Sequence, residues 1–311
     1  MYQDPRLQYV TCAVAGNTDT GRQGATHRMA YWEWNDTGDL NHPHVIVCAH
    51  GLTRQGRDFD VLARQLALQA RVICPDVVGR GYSDWLEDPA GYQVPLYVAD
   101  MLAMLQQVHR AAPIGKLDWV GTSMGGLIGI GLAGEPSIRP LMPAPVRRLV
   151  LNDVGPTIEP SALARIGSYV GQHMLYGSEQ EAVAAMGQLS KGFGPHSDEE
   201  WLALSRPMLR PEAGGSVRLH YDPAIAQPMQ AMTPEMAAAG EQLLWRLYEQ
   251  IDAVTLVLRG ADSDLLSAQT AQSMAKRGPR ARVVEFAGVG HAPTLVSFDQ
   301  TAAVLAFLCG A

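Results

Sequence analysis

Three short segments of the 311-residue chain carry residue types that could perform nucleophilic chemistry on a carbonyl. The first is Gly121-Thr122-Ser123-Met124-Gly125, which follows the apolar run LDWVG and precedes MGGLIGIGLAG. A serine on a tight turn between strand and helix is lifted above the sheet edge, with the positive end of the helix dipole behind it. Such a turn is strained by about 1–3 kcal/mol. The small residues Gly121 and Gly125 leave room for neighbouring backbone. A hydroxyl is a poor nucleophile until a base takes its proton. His291, in Gly290-His291-Ala292-Pro293 near the chain's end, is suited to that near neutral pH. The third segment, His50-Gly51-Leu52, directly follows HVIVCA. A glycine there lets the backbone turn toward the serine, so that the amides of Leu52 and Met124 point at one oxygen. That would be an oxyanion hole, each donor supplying roughly 3–4 kcal/mol at the transition state. The alternative for this segment is a strand-end turn with a buried histidine. A carboxylate is also needed to hold the imidazole in the right tautomer. Asp262 and Asp264, after VTLVLRG, are the two candidates.

Other polar residues are read as structural. His42, His44, His109, His173 and His196 fall in polar loops or helices, and a metal pair of His42 and His44 lacks a third ligand. His220, in LHYDP, is structural or touches substrate. Arg54 and Arg57 flank the oxyanion segment. Either could hold a substrate carboxylate, or form a structural ion pair with Asp58 or Asp76. No metal or organic cofactor is expected.

The elements that must position these residues are legible in the pattern. β-rich runs occur at 7–14, 28–34, 44–50, 71–75, 117–121, 148–153, 254–259 and 282–286. From the third onward they are almost wholly apolar, as strands buried on both faces are. The first two read as an antiparallel pair at the sheet edge. Helical patterns at 58–70 and 98–109 each carry one apolar stripe. The alternation predicts an α/β fold: a mostly parallel eight-stranded sheet with helices on both faces. From about 155 to 236 no good strand is visible. Helical patterns there (161–176, 180–190, 198–204) predict a lid inserted into a core made of 1–154 and 237–311. A further helix, 234–251, leads back to the sheet. Tyr169, Met174, Leu175, Met186, Trp201, Met208, Met229 and Met232 could line an adaptable acyl pocket, or simply pack lid on core.

The chain is 47% hydrophobic and 18% charged, enough to bury a full core. Its formal charge of -7 gives no electrostatic reason to bind nucleic acid or anionic lipid. Cys12, Cys48, Cys74 and Cys309 form no C-x-x-C pair and are read as reduced, which suits the cytoplasm. The N-terminal residues have no signal-peptide pattern, and the most apolar stretch, 125–134, is too short to span a bilayer.

HGLTR, PDVVGRGYSD, GTSMGG, RGADSDLLS and GHAPTL, in that order over essentially the whole chain, resemble the α/β-hydrolase family. The resemblance implies a Ser-Asp-His order of nucleophile, acid and base. The usual family acid follows its glycine by three residues, where this chain has Ser263. Asp262 is one short and Asp264 one beyond. The apolar pair Leu265-Leu266 and the N-cap candidate Ser267 after Asp264 favour Asp264 as the acid. Serine rather than aspartate at the elbow sets aside the family's dehalogenases and epoxide hydrolases. Ala292 after the histidine weakens a carbon–carbon hydrolase reading, since those members usually carry Trp there. What remains is hydrolysis of small to medium esters through an acyl-enzyme, with lactones as an alternative substrate. A different class is a receptor-like relative with little turnover.

Overall fold

The computed structural model describes residues 4–13 and 25–310. The strands of the main sheet are β1 (Arg6–Ala13), β2 (Thr26–Trp34), β3 (His44–Ala49), β4 (Arg71–Asp76), β5 (Lys116–Thr122), β6 (Val146–Asn152), β10 (Val254–Gly260) and β11 (Arg282–Phe286). They lie in the order β1-β2-β4-β3-β5-β6-β10-β11. The pairings β1/β2 and β2/β4 are antiparallel and all others are parallel. All eight expected strands form. Val14, the expected end of the first, lies outside the described residues, as does most of the connection to the second.

The side-chain period of two divides each buried strand between two cores. In β3, Val45, Val47 and Ala49 face one layer. Ile46 and Cys48 face the other. The first layer is covered by α2 (Val94–Ala111), α3 (Met124–Gly134) and α8 (Pro234–Glu249). The second is covered by α1 (Asp60–Leu66) and α10 (Phe298–Cys309). The four cysteines are free. Among the described residues no helix is long and apolar enough to cross a membrane.

Between β6 and β10 the chain leaves the sheet. It forms α4 (Pro160–Gly167), α5 (Glu179–Leu189), α6 (Asp198–Ser205) and the short α7 (Gln227–Gln230), then returns through α8. Two expectations for this stretch need correction. Strands do occur in it: β7 (Leu175–Tyr176), β8 (Leu209–Pro211) and β9 (Val217–Leu219) form a separate antiparallel sheet in the order β7-β9-β8. At two or three residues each, they are too short to show a period. The helix expected over 161–176 also stops at Gly167. Beyond it Gly171 takes φ +86°, a left-handed conformation that ends helices.

Candidate active site

The turn after β5 has the expected strain. Ser123 sits at φ +51°, ψ -117° between β5 and α3. A Cβ on Gly121 would collide with the Gly125 backbone, and one on Gly125 with the Ala49 carbonyl, so both positions require glycine. The Ser123 amide donates to the Asn152 carbonyl at 2.9 Å, tying the turn to the end of β6. Asn152 Nδ2 donates to Thr122 Oγ1 at 2.9 Å and to the Pro293 carbonyl at 2.8 Å, so it also holds the loop that carries His291.

The structure brings Ser123 and His291 together. Ser123 Oγ lies 3.0 Å from His291 Nε2. Asp264 is not the group behind the imidazole; that group is Asp153. His291 Nδ1 lies 2.7 Å from Asp153 Oδ2. A carboxylate only accepts, so Nδ1 carries the proton, and Nε2 is left to accept the Ser123 hydroxyl hydrogen. Asp153 is fully buried and takes φ +54°. It also accepts the Gly260 amide at 2.9 Å and the Ser263 hydroxyl at 2.6 Å. Ser263 Oγ itself accepts the amides of Leu265 and Leu266, which leaves its hydrogen for Asp153. Asp264 instead forms a two-pronged pair with Arg165 at 2.6 and 2.8 Å, half-exposed on both sides. These bonds hold its carboxyl below the usual range. The reason is topological. β6 lies beside β5, and the end of β6 emerges next to the Ser123 turn. Asp264 lies further along a loop and turns outward to α4. The available signal was LVLND, an acid closing an apolar strand.

Gly51 packs against the serine: a Cβ built on it would lie 3.7 Å from Ser123 Cβ. His50 is fully buried, and burial lowers its pKa to about 3, so it is neutral. Its Nε2 accepts the Val77 amide at 2.9 Å, which puts the ring hydrogen on Nδ1, donating to the Gly51 carbonyl at 2.7 Å. A buried histidine thus pins the turn at the end of β3, as the second reading of this segment expects. Among the described residues, the amides of Leu52 and Met124 have no backbone acceptor.

Ser123, His291, Gly51 and Leu52 line a cavity of about 670 Å³ whose far wall comes from the segment between β6 and β10. Tyr169, Met174, Met186 and Met208 line it, whereas Leu175, Trp201, Met229 and Met232 do not. Arg54 reaches the cavity but is spent on Asp58, at 2.7 and 2.8 Å. Arg57 pairs with Asp60. His44 meets Asp118 at 2.8 Å rather than His42. His220 stacks edge-on against Tyr82, away from the cavity lining. Cys12, His27 and Asp100 form a buried group with donor atoms within 4.8 Å of one another. It joins β1, β2 and α2, and β1 is four strands from β5. His27 Nε2 lies 2.9 Å from Asp100 there.

Residues 46–306 match the model of the alpha/beta hydrolase family. The chain is 46% identical, over the full length of both proteins, to a 3-hydroxybutyrate-oligomer hydrolase from Cupriavidus necator. Among solved structures it is similar to an alpha/beta hydrolase from Novosphingobium aromaticivorans, with a TM-score of 0.80 and 34% identity over 99% of each chain. A crystal structure of a Rickettsia typhi protein superposes with a TM-score of 0.81 at 28% identity, over 98% of this chain and 99% of that one. With its eight-stranded sheet, its serine turn and this match over most of its length, the chain belongs to the alpha/beta hydrolase family.

Proposed function

We propose that this chain is a serine ester hydrolase acting on short oligoesters of 3-hydroxybutyrate, with Ser123, His291 and Asp153 as its catalytic residues. The observation that carries the reading is the hydrogen-bonded line from Ser123 Oγ through His291 to Asp153 beside a large cavity. The substrate class rests on the full-length likeness to the Cupriavidus necator protein. Ser123 Oγ attacks the ester carbonyl while His291 Nε2 takes its proton. The tetrahedral oxyanion sits between the amides of Leu52 and Met124. Asp153 stabilises the imidazolium, which then protonates the departing alkoxide. Water repeats the cycle on the acyl-enzyme, with no metal or organic cofactor taking part.

The segment 155–236 serves as a lid over the acyl pocket, on a core of 1–154 and 237–311. α8, which begins at Pro234, spans this boundary and packs on α3. The free cysteines suit a cytoplasmic location. The test uses a trimer of 3-hydroxybutyrate and a simple activated ester. Wild-type protein should release monomer and dimer, carry one phosphonate adduct on Ser123, and lose both properties in Ser123→Ala. An adduct on another residue sinks the nucleophile. Turnover of the simple ester with none of the trimer sinks the substrate class. Ligand protection without any turnover would favour the receptor reading.

A further inference from the structure

Arg80, in PDVVGRGYSD, is fully buried. A guanidinium removed from water is costly to hold unless its donors are met, and buried charges ordinarily face an opposite charge. Arg80 forms no ion pair with a carboxylate of the described residues, and its partners are all neutral. Nε donates to the Leu52 carbonyl at 2.7 Å. Nη1 donates to the Val78 carbonyl at 2.7 Å and to Tyr97 Oη at 3.0 Å. Nη2 lies 3.6 Å from Met124 Sδ. The rings of Tyr92 and Tyr97 lie 5.7 and 5.1 Å from the guanidinium carbon, which offers further stabilisation to a cation.

Two of these partners are the residues that supply the oxyanion amides, and they arrive on different loops, after β3 and after β5. One planar fork thus joins the two halves of the hole. His50 already fixes the Gly51–Leu52 peptide through its carbonyl. Arg80 fixes the next peptide in the same way, so Leu52 is held from both sides. A cation that none of the described carboxylates contacts, in a region of low dielectric, also favours an anion nearby over a neutral ester.

We propose that Arg80 is a positioning residue for the oxyanion, locking Leu52 against Met124 and presenting a positive charge that is not ion-paired behind their amides. This rests on the assignment of Ser123 and the oxyanion hole made above. The test assays Arg80→Met and Arg80→Lys on a simple activated ester. Rates are expressed per phosphonate-titratable Ser123, so unfolded protein drops out. Binding of a boronic acid, which forms a tetrahedral anion on serine, is compared with binding of a neutral amide analogue. Arg80→Met should lower kcat per site by about 100-fold with KM within about threefold. Boronate affinity should fall in parallel while the neutral analogue binds as before. Lysine keeps the charge but cannot reach Leu52 and Met124 together, so Arg80→Lys should lose about tenfold. If the methionine variant does not fold, the lysine variant decides. Wild-type kcat per site in the folded variant, or equal weakening of boronate and amide, overturns the proposal. Ser123→Ala is run alongside. If it retains turnover, the nucleophile assignment and this proposal both fail. If it is inert while the Arg80 variants keep full kcat, only the Arg80 proposal fails.

Discussion

Asp153 accepts three hydrogen bonds from two separate segments: the Gly260 amide and the Ser263 hydroxyl at the end of β10, and His291 Nδ1. Its carboxylate is therefore fully oriented before any substrate arrives. Asparagine at this position would present an amide N–H to the imidazole and drive its proton to Nε2, where it cannot accept from Ser123. Asp153→Asn should cost up to about ten-thousandfold in kcat with the fold retained. Asp264→Asn breaks only an exposed pair with Arg165, the kind worth about 0–1 kcal/mol, and should leave kcat within about twofold. Steady-state rates of the two variants on one ester check this. A crippled Asp264→Asn beside a normal Asp153→Asn would reverse the assignment.

At the scale of elements, the segment between β6 and β10 is fastened to the loop that carries the histidine. The Gly290 amide donates to the Gly192 carbonyl at 2.5 Å, and His196 Nε2 lies 2.7 Å from Thr294 Oγ1. It is also fastened to the Arg80 segment, where Gly81 donates to the His220 carbonyl and Asp222 to the Gly79 carbonyl. Its large side chains fall into two groups. Met186 and Met208 line the cavity and are nearly buried. Trp201 packs inside the segment, with Nε1 on the Val183 carbonyl and its ring near Phe193. Met208→Ala should therefore shift the preferred acyl length upward, and Met186→Phe downward. Trp201→Ala should lower the melting temperature without moving the profile. Rates across a series of acyl lengths, with thermal melts, separate the two kinds of effect. A Trp201→Ala variant that moves the profile while both methionine variants leave it unchanged would contradict this wall assignment.

At the scale of the molecule, two fully buried groups bias stability in opposite directions with pH. His50 is lowered from 6.5 to about 3 by burial. Between these values the unfolded chain binds a proton that the folded chain refuses, so stability is lost as pH falls. Asp76 is raised from 3.8 to about 6 by burial, against the amides of Tyr82 and Gly56, which favour its charged form. Between these values only the folded chain is protonated, so stability is lost as pH rises. The two effects offset each other from about pH 4 to 6. Removing one exposes the other. His50→Gln should be less stable than wild type at pH 7, and the gap should narrow by about 2 kcal/mol on going to pH 5. Urea unfolding of both proteins at the two pH values measures it. A gap independent of pH would mean that His50 is not held neutral by the fold.

Features that depend on neighbours in the chain were legible before any tertiary contact was known. Runs such as VIVCA and LVLN are apolar on both faces and have little choice but to be interior strands, so the sheet and its edge pair were readable. The serine and histidine were readable because glycine-rich turns at the ends of strands are local devices. Asp153, Asp262 and Asp264 all follow strands, and nothing local ranks them by reach. That choice belongs to the tertiary structure, because strand order sets β6 beside β5 while the chain runs straight from β10 into the Ser263 loop. The same holds for Arg80. Its type and motif are plain in the sequence, but its burial against Leu52 and Met124 exists only where three loops meet. The two- and three-residue strands beyond β6 are of this kind as well, since pairing rather than periodicity makes them.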